Sequence, residues 1–190
     1  EMYPDFDGQN LNQSMTITPP PIADVLCGAS RPGHFTGVAT VVMKLFNIVQ
    51  PDFAVFGKKD FQQLFIIREM VRQFNLQIEI IAGETIREAS GLALSSRNGY
   101  LTADEKASAA QLQQCLKQMV QSVQQGNTDF TALTTAASRT LTEHGWRVDY
   151  VAICSADTLL PAIRGDKTLV ALAAAKLGNT RLIDNIDFSC

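Results

Sequence analysis

A chain of 190 residues, 46% of them hydrophobic, can bury a real core, as one large domain or two small ones. Its formal net charge of −3 and pI near 5.3, with no basic stripe, argue against a nucleic-acid partner. No apolar run approaches the roughly 18 residues of a membrane span, and nothing resembles a secretory leader. Cys27, Cys115, Cys154 and Cys190 are scattered without a Cys-x-x-Cys pair, and the histidines are only His34 and His144, so no metal site is expected. The thiols should be reduced, in a cytoplasmic protein.

The chain opens on Glu1-Met2-Tyr3-Pro4 and a polar, turn-rich stretch from Asp5 to Gln13, which reads as the middle of a longer polypeptide. Met15 to Thr18 predicts a short edge strand, stopped by Pro19-Pro20-Pro21. Ile22 to Leu26 predicts a short helix, and Gly28 to Gly33 a loop carrying Arg31. His34 reads as a capping or packing histidine, the rival being a residue that shapes a substrate pocket. Phe35 to Val49 predicts a helix whose wide apolar face, including Val42, Leu45, Phe46 and Val49, should be well buried. Pro51 ends it.

Phe53 to Phe56 is a short apolar run that predicts a buried strand, punctuated at its start by Pro51-Asp52. Gly57 closes the run and permits close approach of a ligand to backbone. Asp60 is placed to cap a helix, with Gln63 at the capping-box position, and Leu64, Ile67, Val71 and Phe74 give that helix one apolar stripe. The unit is strand, glycine turn, helix, with Lys58 and Lys59 in the turn. Ligands of open α/β sheets bind at such a place, where helix amides favour an anion. The plainer reading is a strand–helix turn with two solvated lysines, because Gly-Lys-Lys-Asp is not a Walker loop.

Gln77 to Ala82 predicts a second strand, giving a parallel, right-handed βαβ unit. Gly83 to Ser90 reads as a connector, with a domain boundary near Thr85. Gly91 to Leu101 then gathers Ser95, Ser96 and Arg97 in a loop. Two hydroxyls and a planar fork of donors suit phosphate oxygens, although a surface turn with a structural arginine fits the same residues. Thr102-Ala103-Asp104-Glu105 is a capping box for a helix reaching about Gln125, with Leu112, Leu116, Met119, Val120 and Val123 as its stripe and Gly126 at its end. Phe130 to His144 predicts another helix, with His144 suiting the dipole of its last turn. Trp146 is a core candidate. Val148 to Cys154, Thr168 to Leu177 and Arg181 to Asp184 predict three strands, and the small residues Ala171 to Ala175 allow close packing. The overall class is α/β.

Four stretches together resemble the pantothenate synthetase (pantoate–β-alanine ligase) family, in that family's order. They are Arg31-Pro-Gly-His-Phe35, Phe56-Gly-Lys-Lys-Asp-Phe-Gln-Gln63, Gly91-Leu-Ala-Leu-Ser-Ser-Arg-Asn98 and Thr180-Arg-Leu-Ile-Asp-Asn185. The resemblance covers nearly the whole chain. It implies that residues 1–85 are the second half of a Rossmann-like, adenine nucleotide alpha hydrolase-like, parallel-sheet domain. Residues 86–190 would be a smaller α+β C-terminal lid domain.

The activity implied is ATP-dependent condensation of (R)-pantoate with β-alanine, releasing AMP and pyrophosphate through a pantoyl adenylate, in a homodimer. Lys59, Ser95, Ser96 and Arg97 would be the catalytic groups on the phosphates, with Lys58 and the Leu94 backbone beside them. Gly57 and Asp60 would meet the ribose, the Ile86 backbone the adenine, and Gln63 the pantoate. Mg2+ would bridge phosphates with few protein ligands. The family's His-x-Gly-His-type motif is absent here, so this chain alone is expected to be inactive. A related nucleotidyltransferase and a non-catalytic nucleotide-binding module stay open as other readings of the same phosphate loops.

Overall fold

In a computed structural model that describes residues 2–190, the chain forms two units. One runs to Phe56 and resumes over Gln62–Gly83; the other comprises Gly57–Phe61 and Glu84–Cys190.

In the first unit, helix α1 (His34–Val49) begins after Gly33 and ends at Gln50. Strands β1 (Phe53–Gly57) and β2 (Glu79–Gly83) flank helix α2 (Phe61–Gln73) and form a parallel two-stranded sheet. Ala39, Val42 and Phe46 of α1 meet Ile67 and Met70 of α2 in one cluster, and Phe56 and Ile80 of the sheet pack against it. The Phe46 and Phe56 rings lie edge to face, with centroids 6.3 Å apart.

Burial differs from expectation in three places here. Leu45, Ile48 and Val49 are 44%, 61% and 64% exposed, so only part of the wide apolar face of α1 is covered. In β1 the inward side chains are Ala54 and Phe56, while Phe53 and Val55 are 61% and 64% exposed: alternation puts half of this apolar run outside. Phe74 lies past the end of α2 and is exposed; Met70 takes its place in the core.

The expected strand from Met15 to Thr18 is absent. The Ile17 amide instead donates to Thr40 Oγ1 (3.0 Å), whose hydroxyl donates in turn to Thr36 O (2.7 Å). The short helix shrinks to a 3₁₀ turn over Pro21–Asp24. Buried Gln62 holds this turn and the residues just after it: its side chain donates to Ile22 O (2.8 Å) and Val25 O (2.9 Å) and accepts from the Cys27 amide (3.1 Å).

The second unit is built on an antiparallel meander of β3 (Arg147–Ser155), β4 (Thr168–Leu177) and β5 (Thr180–Ser189), with β4 central. The last strand runs well beyond the expected Asp184, pairing through Thr168↔Ser189. Gly178-Asn179 forms the tight turn between β4 and β5. Gly178 has a left-handed φ of 54°, which favours glycine, and a Cβ there would meet the Glu105 carboxylate. β4 is buried on both faces, which is why it reads as a continuous run of small and apolar residues. Leu169, Ala171, Ala173 and Ala175 join one large cluster with Leu112, Leu116 and Met119 of α4 (Gln111–Gln124), Leu141 of α5 (Phe130–Glu143), and Trp146. The Trp146 indole N–H donates to Gln111 Oε1 (3.0 Å), which satisfies the polar end of a buried ring.

The single long helix expected after Thr102 is two: α3 (Ala103–Ala109) and α4, interrupted at Ala110. Its start is as expected, with the Glu105 amide donating to Thr102 Oγ1 and the Thr102 amide to the Glu105 carboxylate. Thr102→Ala should lower stability by about 1 kcal/mol, read as a lower urea midpoint of this unit with an unchanged slope. An unchanged midpoint would mean that solvent replaces the cap. Burial pushes the Cys154 thiol up to about 11 and raises that of Cys115, so both stay protonated and unreactive in the folded state.

Candidate active site in the second unit

The lysine turn does not have the form that the sequence suggested. Lys58–Asp60 is a 3₁₀ turn that passes directly into helical Phe61, so Asp60 lies inside the turn and no capping box forms with Gln63. Gly57 has ordinary extended torsions, φ −72° and ψ 133°, and the direction in which a Cβ would point is open. What glycine supplies here is room next to the backbone rather than torsional freedom.

This turn belongs with β5 in the second unit. The Asn185 side-chain amide, 5% exposed, donates to Lys58 O (2.9 Å) and to Lys59 O (2.8 Å). The Lys58 ammonium pairs with Glu84 (2.6 Å) and Asp187 (3.0 Å). Those hydrogen bonds, Glu84 first, raise its pKa. Lys58 is therefore committed to carboxylates, whereas Lys59 has no ion pair among the described residues.

Downstream, the expected connector is a small hairpin. The Leu94 amide donates to Ile86 O (2.9 Å), the Glu88 amide to Leu92 O (2.9 Å), and Arg87 bridges to Ala93. Gly91 sits at its tip with φ +96°, against the Gln113 side chain. This brings Ile86 beside Leu94 and engages one backbone group of each. Arg87 fixes the hairpin: its guanidinium makes a two-pronged pair with Asp184 (2.7 and 2.9 Å) and donates to Gly91 O (3.1 Å). Asp184 is 5% exposed, and its Oδ1 also accepts from the Asn185 amide (2.8 Å). From Ile86 onward this connector is tied within the second unit.

The serine–arginine loop is held from inside. Ser95 Oγ accepts from the Arg97 amide (3.2 Å) and starts a 3₁₀ turn over Ser96–Tyr100. Its hydroxyl hydrogen remains available as a donor. Buried Asn98 donates to Ala93 O (3.1 Å) and Glu88 (3.3 Å), while its own Oδ1 is buried without a hydrogen-bond partner among the described residues. Ser95 and Arg97 are half-buried, while Ser96 and Leu94 face outward.

Lys59, Ser95, Arg97, Asn98, Arg181 and Asp184 line one narrow cleft in the second unit. Arg181 is tied to Asp149 (2.7 Å). A cavity of about 550 Å³ elsewhere in the unit takes Lys58, Glu84 and Lys117 but none of the serine–arginine loop. By residue type the narrow cleft, about 10 Å³ in volume, is the better candidate: a lysine, an arginine and a serine line it together, and their donors suit an anion. Of the residues named from sequence, Lys59, Ser95 and Arg97 come together. Lys58, Gly57 and Asp60 flank them on the turn, and Ile86, Leu94 and Ser96 lie on the hairpin and loop. Gln63 is half-buried in the first unit. Sequence reasoning assigned nothing to Arg87, Asn98, Asp184 or Asn185. Asn98 and the Asp184-Asn185 pair close two of the four diagnostic stretches, which was the available signal.

A family model described as Pantoate-beta-alanine ligase matches residues 1–187. The chain is 66% identical over 189 residues to the pantothenate synthetase of Methylobacillus flagellatus, covering 100% of this chain and 66% of that protein. It is 59% identical over 169 residues to that of Thiobacillus denitrificans, covering 89% of this chain and 60% of that protein. The chain thus spans less than two thirds of the length of the curated relatives it matches. The crystal structure of pantothenate synthetase from Thermus thermophilus superposes with a TM-score of 0.88 at 38% identity, over 97% of this chain and 65% of that one. A pantoate-beta-alanine ligase from Francisella tularensis, complexed with beta-gamma ATP and beta-alanine, gives a TM-score of 0.63 at 30% identity, over 90% of this chain and 57% of that one.

Proposed function

This chain belongs to the pantoate-beta-alanine ligase family, and from that premise we propose that the protein condenses (R)-pantoate with β-alanine at the expense of ATP. The observation that carries the reading is the meeting of Lys59, Ser95 and Arg97 on one cleft. In the first step a pantoate carboxylate oxygen attacks the α-phosphorus, forming pantoyl adenylate and releasing pyrophosphate. In the second the β-alanine amine attacks the acyl carbon, the amide forms and AMP leaves. The first step builds charge on phosphate oxygens, and fixed donors aimed at that charge lower its barrier.

Lys59 and Arg97 would take the phosphates with the Ser95 hydroxyl, and Ser96 and the Leu94 backbone would close the loop over them. Gly57 and Asp60 would meet the ribose, the Ile86 backbone the adenine, and Gln63 the pantoate. Lys58, already paired twice, would hold the turn. Mg2+ would arrive on the phosphates; the described residues gather no group of three or more side chains suited to a metal. No helix of the described residues is long and apolar enough to cross a membrane, and a cytoplasmic homodimer is the setting we propose.

The test is to compare the full-length protein with residues 1–190 alone, supplying ATP, pantoate and β-alanine. The full-length protein should release pyrophosphate and form pantothenate; the 190-residue chain should do neither. Pyrophosphate release that needs no amine, and yields no pantothenate, would favour a nucleotidyltransferase; nucleotide binding without turnover would favour a binding module. Robust pantothenate formation by the 190 residues would remove the need for more chain. Leu45, Ile48, Val49, Phe53 and Val55 lie exposed on the first unit, so the 190-residue chain should also self-associate. Sedimentation at increasing concentration checks this, and a constant monomer would contradict it.

A further inference from the structure

The Asp184-Asn185 pair on β5 touches both halves of the proposed phosphate site, and no role has been assigned to it. Asn185 spends both hydrogens of its amide on consecutive carbonyls, those of Lys58 and Lys59. Next to it, Asp184 holds Arg87, and Arg87 holds Gly91 O at the tip of the hairpin that leads into Ser95 and Arg97. The Asp184 carboxylate also accepts from the Asn185 backbone amide (2.8 Å), so the two grips share one rigid strand. From this geometry we infer that Asn185 is a positioning residue for adenylation: it fixes the backbone of the lysine turn so that the Lys59 ammonium stays on the cleft shared with Ser95 and Arg97.

The chemistry of the contact supports the assignment. A 3₁₀ turn of three residues is weakly held by its own hydrogen bonds. Without an outside clamp, Lys59 would sample many positions. The uncharged Asn185 amide serves both carbonyls from this buried place without bringing a charge into it. A carboxylate of the same shape would oppose them with lone pairs, and a longer side chain would push the turn outward. Asn185 would touch no phosphate itself, and acts through the backbone it holds.

The inference rests on the proposed phosphate role of Lys59, so the experiment separates the two. In the full-length enzyme, Asn185→Asp and Asn185→Ala are made alone and in a Lys59→Ala background. Pyrophosphate release, KM for ATP, KM for pantoate and the urea midpoint are then measured. Each single Asn185 variant should lose rate by on the order of 10-fold to 100-fold, as small misplacements of a catalytic contact do. KM for ATP should rise and KM for pantoate should hold. In the Lys59→Ala background most of that loss should vanish, because the group that Asn185 positions is gone. If Lys59→Ala itself leaves the rate unchanged, the phosphate reading of Lys59 fails, and this inference with it. If Lys59→Ala is slow but the Asn185 loss persists in full behind it, the phosphate reading stands and the positioning role is overturned. If neither Asn185 variant folds, Asn185 is a residue of the fold at large, and the positioning role is equally overturned.

Discussion

Replacing Lys59 with alanine in the full-length enzyme should slow pyrophosphate release by on the order of 100-fold, about 3 kcal/mol in the barrier, with the fold intact. The size follows from what the side chain faces. Lys59 is half-buried and has no ion pair among the described residues, whereas its neighbour Lys58 is held by Glu84 and Asp187. The one carboxylate on the cleft that Lys59 shares with Arg97 and Ser95, Asp184, is held by Arg87, so the Lys59 charge is available for an incoming phosphate. Lys58→Ala should act differently, loosening the turn without removing a phosphate contact, and so cost less in rate than Lys59→Ala. The two variants in one assay decide the point. A larger loss from Lys58 than from Lys59 would exchange their roles, and no loss from Lys59 would take it off the phosphates.

Sequence pattern reached far into this fold where one local rule acted alone. The capping box at Thr102, the α4 stripe and the small-residue centre of β4 follow from periodicity, and the structure has each. Pattern misled where tertiary partners decided. Met15 to Thr18 looks like a strand, but a helix hydroxyl takes the Ile17 amide. Asp60 looks like a cap, but the chain enters α2 through a 3₁₀ turn. The hairpin over residues 86–94 was hidden, because Arg87 is pinned by a carboxylate 97 residues away. The same holds for the site. Lys59, Ser95 and Arg97 were legible as residue types suited to phosphate. Nothing local shows that Asn185 joins them, since its partners are backbone carbonyls more than a hundred residues earlier.

Asp184→Ala should destabilise the second unit by about 3 kcal/mol, at the lower end of what breaking a buried ion pair costs. The carboxylate is 4% exposed and Arg87 21% exposed, so the arginine left behind can find some water, which sets the lower end of the range. Three bonds are lost together: both prongs to Arg87 and the one from the Asn185 amide. Arg87 also donates to Gly91 O (3.1 Å) and Asn185 O (3.3 Å), so the hairpin and the lysine clamp should loosen along with the pair. Activity should therefore fall beyond the unfolded fraction. An apolar pair of similar volume, Arg87→Met with Asp184→Leu, should recover much of the stability, because it removes both charges rather than stranding one. It should not recover the rate, because an apolar pair cannot hold Gly91 O or the Asn185 amide. Urea unfolding and pyrophosphate release on the two variants and the parent protein separate these effects. If the apolar pair regains both stability and rate, Asp184 and Arg87 serve only to fill the interior of this unit, and the fork has no part in setting the phosphate loops.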